Sequence, residues 1–307
     1  MRLKKAAEIS TSAVCLADCR TLGESDANPP GWCIFRRFFW QKNHDCPKKR
    51  QNLLARPDFR FDSQSPTGCL AVEYNDRPQR EGKPQTMNTT LASIEPAVIP
   101  GVLYVVATPI GNLGDWSLRA REVLSAVDVI AAEDTRHSRP LLHHFGITTP
   151  LLALHAHNEH ERVGDLVQRL LAGESLALIS DAGTPLVSDP GYPLVRAALQ
   201  AGVRVSPIPG ASAAMAALSV CGLPSDRFVF EGFLPARASA RRARLQALEP
   251  ETRTLIFFEA PHRLLECLRD MAQVMGGTRE AALARELTKP FETVRMAPLD
   301  ELAAWVE

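Results

Sequence analysis

No apolar run in this 307-residue sequence approaches the twenty or so residues that a membrane helix requires. Stretches such as Leu103–Ala107 and Leu176–Ile179 are typical of its longest. The basic start MRLKKAAEIS is not followed by an apolar segment of signal-peptide length. The seven cysteines are odd in number and irregularly spaced, which argues against a disulfide framework and makes a reducing cytoplasm the expectation. Net charge is lacking too: 35 basic residues balance 35 acidic ones, so charge alone neither favours nor excludes nucleic acid. Lysine is scarce and unevenly placed. Six of the seven lie in residues 1–86, and after Lys83 the only one is Lys289.

That asymmetry marks a boundary. Residues 1–86 hold 15 basic and 10 acidic residues, whereas residues 87–307 hold 20 and 25. The first segment combines turn formers (Asn28, Pro29, Pro30, Gly31), an aromatic cluster (Phe35, Phe38, Phe39, Trp40) and a basic run, without helical or strand periodicity. Cys15, Cys19, Cys33, His44 and Cys46 invite a zinc reading, but the paired ligand spacings are missing and no metal is expected. Residues 1–86 are therefore expected to be a disordered extension or upstream sequence, with Met87 a sensible start. A protein beginning there is expected to keep its fold.

From residue 101 the pattern is regular. Predicted strands at Leu103–Ala107, Val127–Ala132, Leu151–His155, Leu176–Ser180 and Val203–Ile208 alternate with helical segments, including a short one at Pro140–Phe145. The alternation implies an α/β fold with a mostly parallel five-stranded sheet over residues 100–222. Loops 108–115, 181–191 and 209–212 each follow a strand, so they share the carboxyl edge where such sheets bind ligands. Their glycines and prolines could merely make tight turns, but three such loops at one edge favour a ligand. Gly111-Asn-Leu-Gly114 is G-x-x-G and not G-x-G-x-x-G, and no G-K-[ST] follows, so a nucleoside fits better than a polyphosphate.

Residues 223–307 predict a smaller mixed α/β module. Its strands are Phe228–Phe233, Thr254–Glu259, Ala281–Glu286 and Thr293–Met296. Its helices are Arg237–Leu248 and His262–Met275, with a last one opened by Pro298. Arg237, Arg241, Arg242 and Arg244 on the first helix could hold RNA phosphates or form a solvated face.

The chain from about Gly101 onward resembles the tetrapyrrole methylase superfamily, most closely its branch acting on small-subunit ribosomal RNA. The resemblance rests on Val105-Val-Ala-Thr-Pro-Ile-Gly-Asn-Leu-Gly-Asp115, Ala132-Glu-Asp-Thr-Arg136, His157-Asn-Glu159, Ser180-Asp-Ala-Gly-Thr-Pro-Leu-Val-Ser-Asp-Pro-Gly191 and Pro209-Gly210. It continues with Glu231-Gly-Phe-Leu-Pro235, Phe258-Glu-Ala-Pro-His-Arg263 and Arg285-Glu-Leu-Thr-Lys289. It implies a two-domain fold, a homodimer, S-adenosylmethionine held between the domains, and 2′-O-methylation of a cytidine in 16S ribosomal RNA, as naked RNA or in the 30S subunit. It also implies that such chains run past residue 307 through a further strand, so the second domain is expected to be truncated. Residues 1–86 have no counterpart in it.

For the cofactor the resemblance points to Pro109, Ile110, Gly111, Asp181, Gly183, Thr184, Ser188, Pro209, Gly210 and Ser212, with Leu234 and Pro235 closing the site. For chemistry it points to Glu133, Asp134, Arg136, Glu259, Arg263, Glu286 and Lys289, which could equally form a structural ion-pair network. Methyl transfer needs the acceptor oxygen in line with the S–C bond, and a weakly acidic ribose hydroxyl needs a base or a cation beside it. Lys289, kept where nearly every other cation is arginine, is expected to contact the ribose or its phosphate and stabilise the developing alkoxide. His155, His157 and His160 read as a turn after a strand and not as a metal site, and His157-Asn-Glu159 is expected near the cleft. The rival readings are a methylase of a tetrapyrrole-like small molecule and a non-catalytic RNA-binding module.

Overall fold

The computed structural model describes residues 12–16, 97–156 and 158–307. The first sheet comprises β2 (Val102–Val106), β3 (Val129–Ala132), β4 (Leu151–Ala153), β5 (Leu176–Ile179) and β6 (Arg204–Ile208). All pairings are parallel, in the order β4-β3-β5-β2-β6. Side chains alternate across it. Tyr104, Val106, Ile130, Ala132, Ala177 and Ile179 bury against α1 (Leu118–Ala126) and α2 (Thr135–His144). Leu103, Val129, Ala131, Leu176 and Leu178 bury against α3 (Glu159–Leu171) and α4 (Tyr192–Gln200). With both faces covered, β2, β3 and β5 are near-continuous apolar runs, which is why the sequence predicted them. Helix α2 begins at Thr135, five residues before the predicted start at Pro140. The Asp134 carboxylate caps it by accepting from the Arg136 N–H at 2.8 Å, leaving Pro140 inside the helix.

The second sheet runs β10-β9-β1-β8-β7. It contains β7 (Phe228–Phe233), β8 (Thr254–Glu259), β9 (Glu280–Arg285), β10 (Thr293–Pro298) and β1 (Ser12–Leu16). One face packs under α6 (Ala238–Leu248), α7 (Leu264–Met275) and α8 (Leu299–Val306) through Leu245, Leu268, Met271 and Leu302. The opposite face packs on α5 (Ala213–Val220) through Ala214, Ala217 and Leu218. Helix α5 belongs by sequence to residues 100–222 yet buries against the sheet built from 223–307. The described residues accordingly form one compact unit.

Strand β1 departs from the expectation for residues 1–86. Its five residues lie between β8 and β9, antiparallel to both, with Val14 opposite Phe257 on one side and Leu283 on the other. Val14 and Cys15 are completely buried on opposite faces of the sheet. Cys15 packs in the core beside Cys221, and burial first, then this neighbour, raises its thiol to about 12. Cys19, Cys33, His44 and Cys46 lie outside the described residues.

Candidate active site

Strands β5, β2 and β6 are neighbours in the sheet, so their three following loops lie side by side, and hydrogen bonds stitch them together. The Thr108 N–H donates to the Gly183 carbonyl at 2.8 Å, and the Gly183 N–H returns a bond to the Thr108 carbonyl at 3.1 Å. The Thr184 hydroxyl donates to the Ala211 carbonyl at 3.0 Å. Gly210 is required here, because a Cβ on it would sit 2.8 Å from that of Ala107. The second loop is also held from below. Glu159, 5% exposed, accepts from the Gly191 N–H at 2.7 Å. Asn158 braces its own turn by accepting from the His155 N–H and donating to the Ala153 carbonyl. Asn158 and Glu159 thus act as supports, while His157 lies outside the described residues.

The loops border a cleft of about 220 Å³ whose other wall comes from the second sheet. Of the residues expected for the cofactor, Ile110, Asp181, Gly183, Thr184, Ser188 and Ser212 line it. Of those expected for chemistry, Glu133, Glu286 and Lys289 do. Among the described residues, the non-glycine positions with positive φ are Leu186, Ser188, Glu286 and Thr288, all in the two segments that face each other here. Backbone held in this sparsely populated region costs energy and concentrates at ligand sites. The Lys289 stem lies over Gly111: a Cβ at Gly111 would come within 2.5 Å of the lysine Cγ. Its Nζ is 3.4 Å from a Glu286 carboxylate oxygen.

Burial, then the nearby Asp189 and Asp181 carboxylates, raise Glu133 to about 7. Burial raises Asp189 to about 6 against the lowering effect of a hydrogen bond from the Ser180 hydroxyl, and Asp181 adds to the rise. Burial also raises Asp181, whose carboxylate accepts from the Asp134 N–H at 3.2 Å. Among the described residues no group of histidine, cysteine and carboxylate side chains is arranged to hold a metal ion.

The other expected residues do not line the cleft. Asp134 and Arg136 form an exposed ion pair at 2.8 Å, which lowers Asp134 to about 2. Glu259 is fully buried and paired with Arg263 at 3.3 Å, and Arg263 also donates to the Leu234 carbonyl at 2.9 Å. These four follow the ion-pair reading. Leu234 belongs to the core of the second sheet, Pro109 is buried, and Pro209, Gly210 and Pro235 are exposed outside the lining. The α6 arginines are largely engaged within the fold. Arg241 is buried and bonded to Asp270 at 2.6 Å, Arg242 reaches the same carboxylate at 3.2 Å, and Arg244 pairs with Glu231 at 2.6 Å. The expectation that this cluster holds RNA phosphates fails for Arg241, because α6 turns that side chain into the α6–α7 contact.

Sequence reasoning missed Asp189, Phe233, Phe258 and Leu287, which also line the cleft. A second acidic residue in a loop already read as ligand-binding was the signal available for Asp189. The two phenylalanines, whose ring centroids are 5.7 Å apart, read as ordinary strand residues.

A glycine-rich edge of a parallel sheet, faced by a second mixed sheet across a cleft lined by carboxylates, defines an α/β protein with a ligand site at its strands' carboxyl ends. The chain belongs to the tetrapyrrole (corrin/porphyrin) methylase family, whose model matches residues 102–303. Within it, the chain belongs with the proteins named ribosomal RNA small subunit methyltransferase I. It is 65% identical to that of Pseudomonas aeruginosa over 206 residues, covering 67% of this chain and 73% of the other. It is 58% identical to that of Escherichia coli O157:H7 over 207 residues, covering 67% and 72%. The crystal structure of a diphthine synthase superposes with a TM-score of 0.52 at 17% identity, covering 66% of this chain and 84% of that one, a likeness of fold.

Proposed function

We propose that this chain transfers a methyl group from S-adenosylmethionine to the ribose 2′-hydroxyl of a cytidine in 16S ribosomal RNA of the small subunit. The observation that carries the reading is the cleft itself: three stitched loops on one wall, and Lys289 with Glu286 on the other. The lining fits the cofactor chemically. Glycine-rich backbone lets a nucleoside approach closely, carboxylates suit a sulfonium and an ammonium, and among the described residues Lys289 is the one basic side chain on the walls, too little for a polyphosphate. The cofactor supplies the methyl group. The chain binds and orients it through the 181–191 loop, keeps water out with Phe258 and Leu287, and sets a cation beside the acceptor oxygen through Lys289.

The substrate assignment follows the names of relatives more than half identical, such as those of Pseudomonas aeruginosa and Escherichia coli O157:H7, over the corrins and porphyrins in the family's description. Labelled methyl incorporation into small subunits that lack the modification, with a porphyrinogen as the alternative acceptor, tests it. Label in RNA supports the reading, and label only in the pigment overturns it. A homodimer acting in the cytoplasm belongs to the same proposal. Met215 and Val220 on α5 and Met296 on β10 are about half exposed, an apolar surface suited to a second copy. Among the described residues no helix is long and apolar enough to cross a membrane.

Asp181→Ala is expected to weaken S-adenosylmethionine binding tenfold or more, about 1.4 kcal/mol, the scale of one charge-assisted hydrogen bond. Calorimetric titration measures it, and unchanged affinity would remove Asp181 from the binding wall.

A further inference from the structure

The charges of the cleft are distributed unevenly. Its first-sheet wall carries Glu133 at the end of β3, and Asp181 and Asp189 in the loop after β5. Asp134 adds a further negative charge behind Glu133, and His137 opposes Asp181. Across the cleft, Lys289 has Glu286 beside it at 3.4 Å. The carboxylates have little freedom to separate. Asp181 is bonded to the backbone of Asp134, and the loop carrying both Asp181 and Asp189 is anchored by Glu159 at Gly191 and by the paired bonds between Thr108 and Gly183. Crowding like charges in a half-buried space disfavours their ionised forms, and a cation placed among them would reverse that. The wall is therefore best matched by a ligand that brings positive charge.

We propose that Glu133 and Asp189 act as a charge filter, holding a sulfonium ligand and releasing the neutral thioether that remains once the methyl group has left. The inference rests on S-adenosylmethionine being the cleft's ligand, and it assigns these residues to specificity and product release. S-adenosylmethionine and S-adenosylhomocysteine share their adenosine, amino and carboxyl groups, so the ratio of their affinities isolates the sulfonium charge. The sign follows from the proton positions given above. At about pH 5.5 both filter carboxyls are largely protonated, whereas at about pH 8 both are ionised.

The test is calorimetric titration of the full chain with each compound at both pH values. The wild type is expected to bind S-adenosylmethionine at least tenfold more tightly than S-adenosylhomocysteine at the higher pH, with the ratio falling toward one at the lower. A Glu133→Gln, Asp189→Asn double variant is expected to show a ratio near one throughout and to keep S-adenosylhomocysteine affinity within about threefold. A wild-type ratio independent of pH, or one that survives in the variant, overturns the filter and leaves the cofactor reading standing. Failure of the wild type to bind either compound overturns both. If the variant does not fold, the wild-type pH dependence decides alone.

Discussion

Lys289→Arg is expected to lower methyl transfer about a hundredfold, the scale of losing one well-placed electrostatic stabiliser, while leaving S-adenosylmethionine affinity within about threefold. Lys289 follows β9 on a segment where Glu286 and Thr288 both adopt left-handed backbone, so its position is set by strained main chain and not by a free rotamer. The segment is tied down further: the Lys289 N–H donates to the Glu286 carbonyl, and the Thr288 N–H donates to the Glu292 carboxylate. Its side chain is 10% exposed, and its methylenes occupy the space that only a glycine at 111 leaves open. An ammonium fits there as a compact charge, but a planar guanidinium needs more width and presents its donors in a fixed fork. Single-turnover transfer measured beside calorimetry separates the outcomes. Full turnover by the arginine variant removes Lys289 from the chemistry. A loss explained wholly by weaker cofactor binding moves it into the cofactor pocket.

Val14→Asp is expected to destabilise the protein by about 3–5 kcal/mol, the cost of leaving an unpaired charge in a core, and to leave little soluble protein. Val14 is completely buried between Phe257 and Leu283, at the centre of the second sheet. Val14→Ala should cost less, about 1.5–3 kcal/mol, because it removes only apolar area. Denaturant unfolding of the two variants against the native chain measures both. Native stability in Val14→Asp would show that β1 is dispensable. The same observation reverses the expectation for a protein starting at Met87: without β1, strands β8 and β9 lose their shared partner, and two edges open in the middle of the sheet.

The sequence by itself determined the parallel sheet and its ligand edge. Strands buried on both faces must be apolar throughout, and loops after parallel strands must share an edge, so local pattern carried global information. Lysine scarcity together with the family resemblance also singled out Lys289, which lines the cleft. Only the tertiary structure decided the rest. Strand β1 pairs with residues some 240 positions away, and a five-residue segment has too little periodicity to stand out from its surroundings. The same holds for the charged residues. Glu133 and Glu259 each end a strand beside motif residues and are equivalent on paper. Yet β3 releases Glu133 into the cleft, while Glu259 at the end of β8 faces Arg263 in the interior. Whether a carboxylate binds a ligand or anchors a loop depends on which cation the fold brings to it, and that partner is set by packing between distant elements.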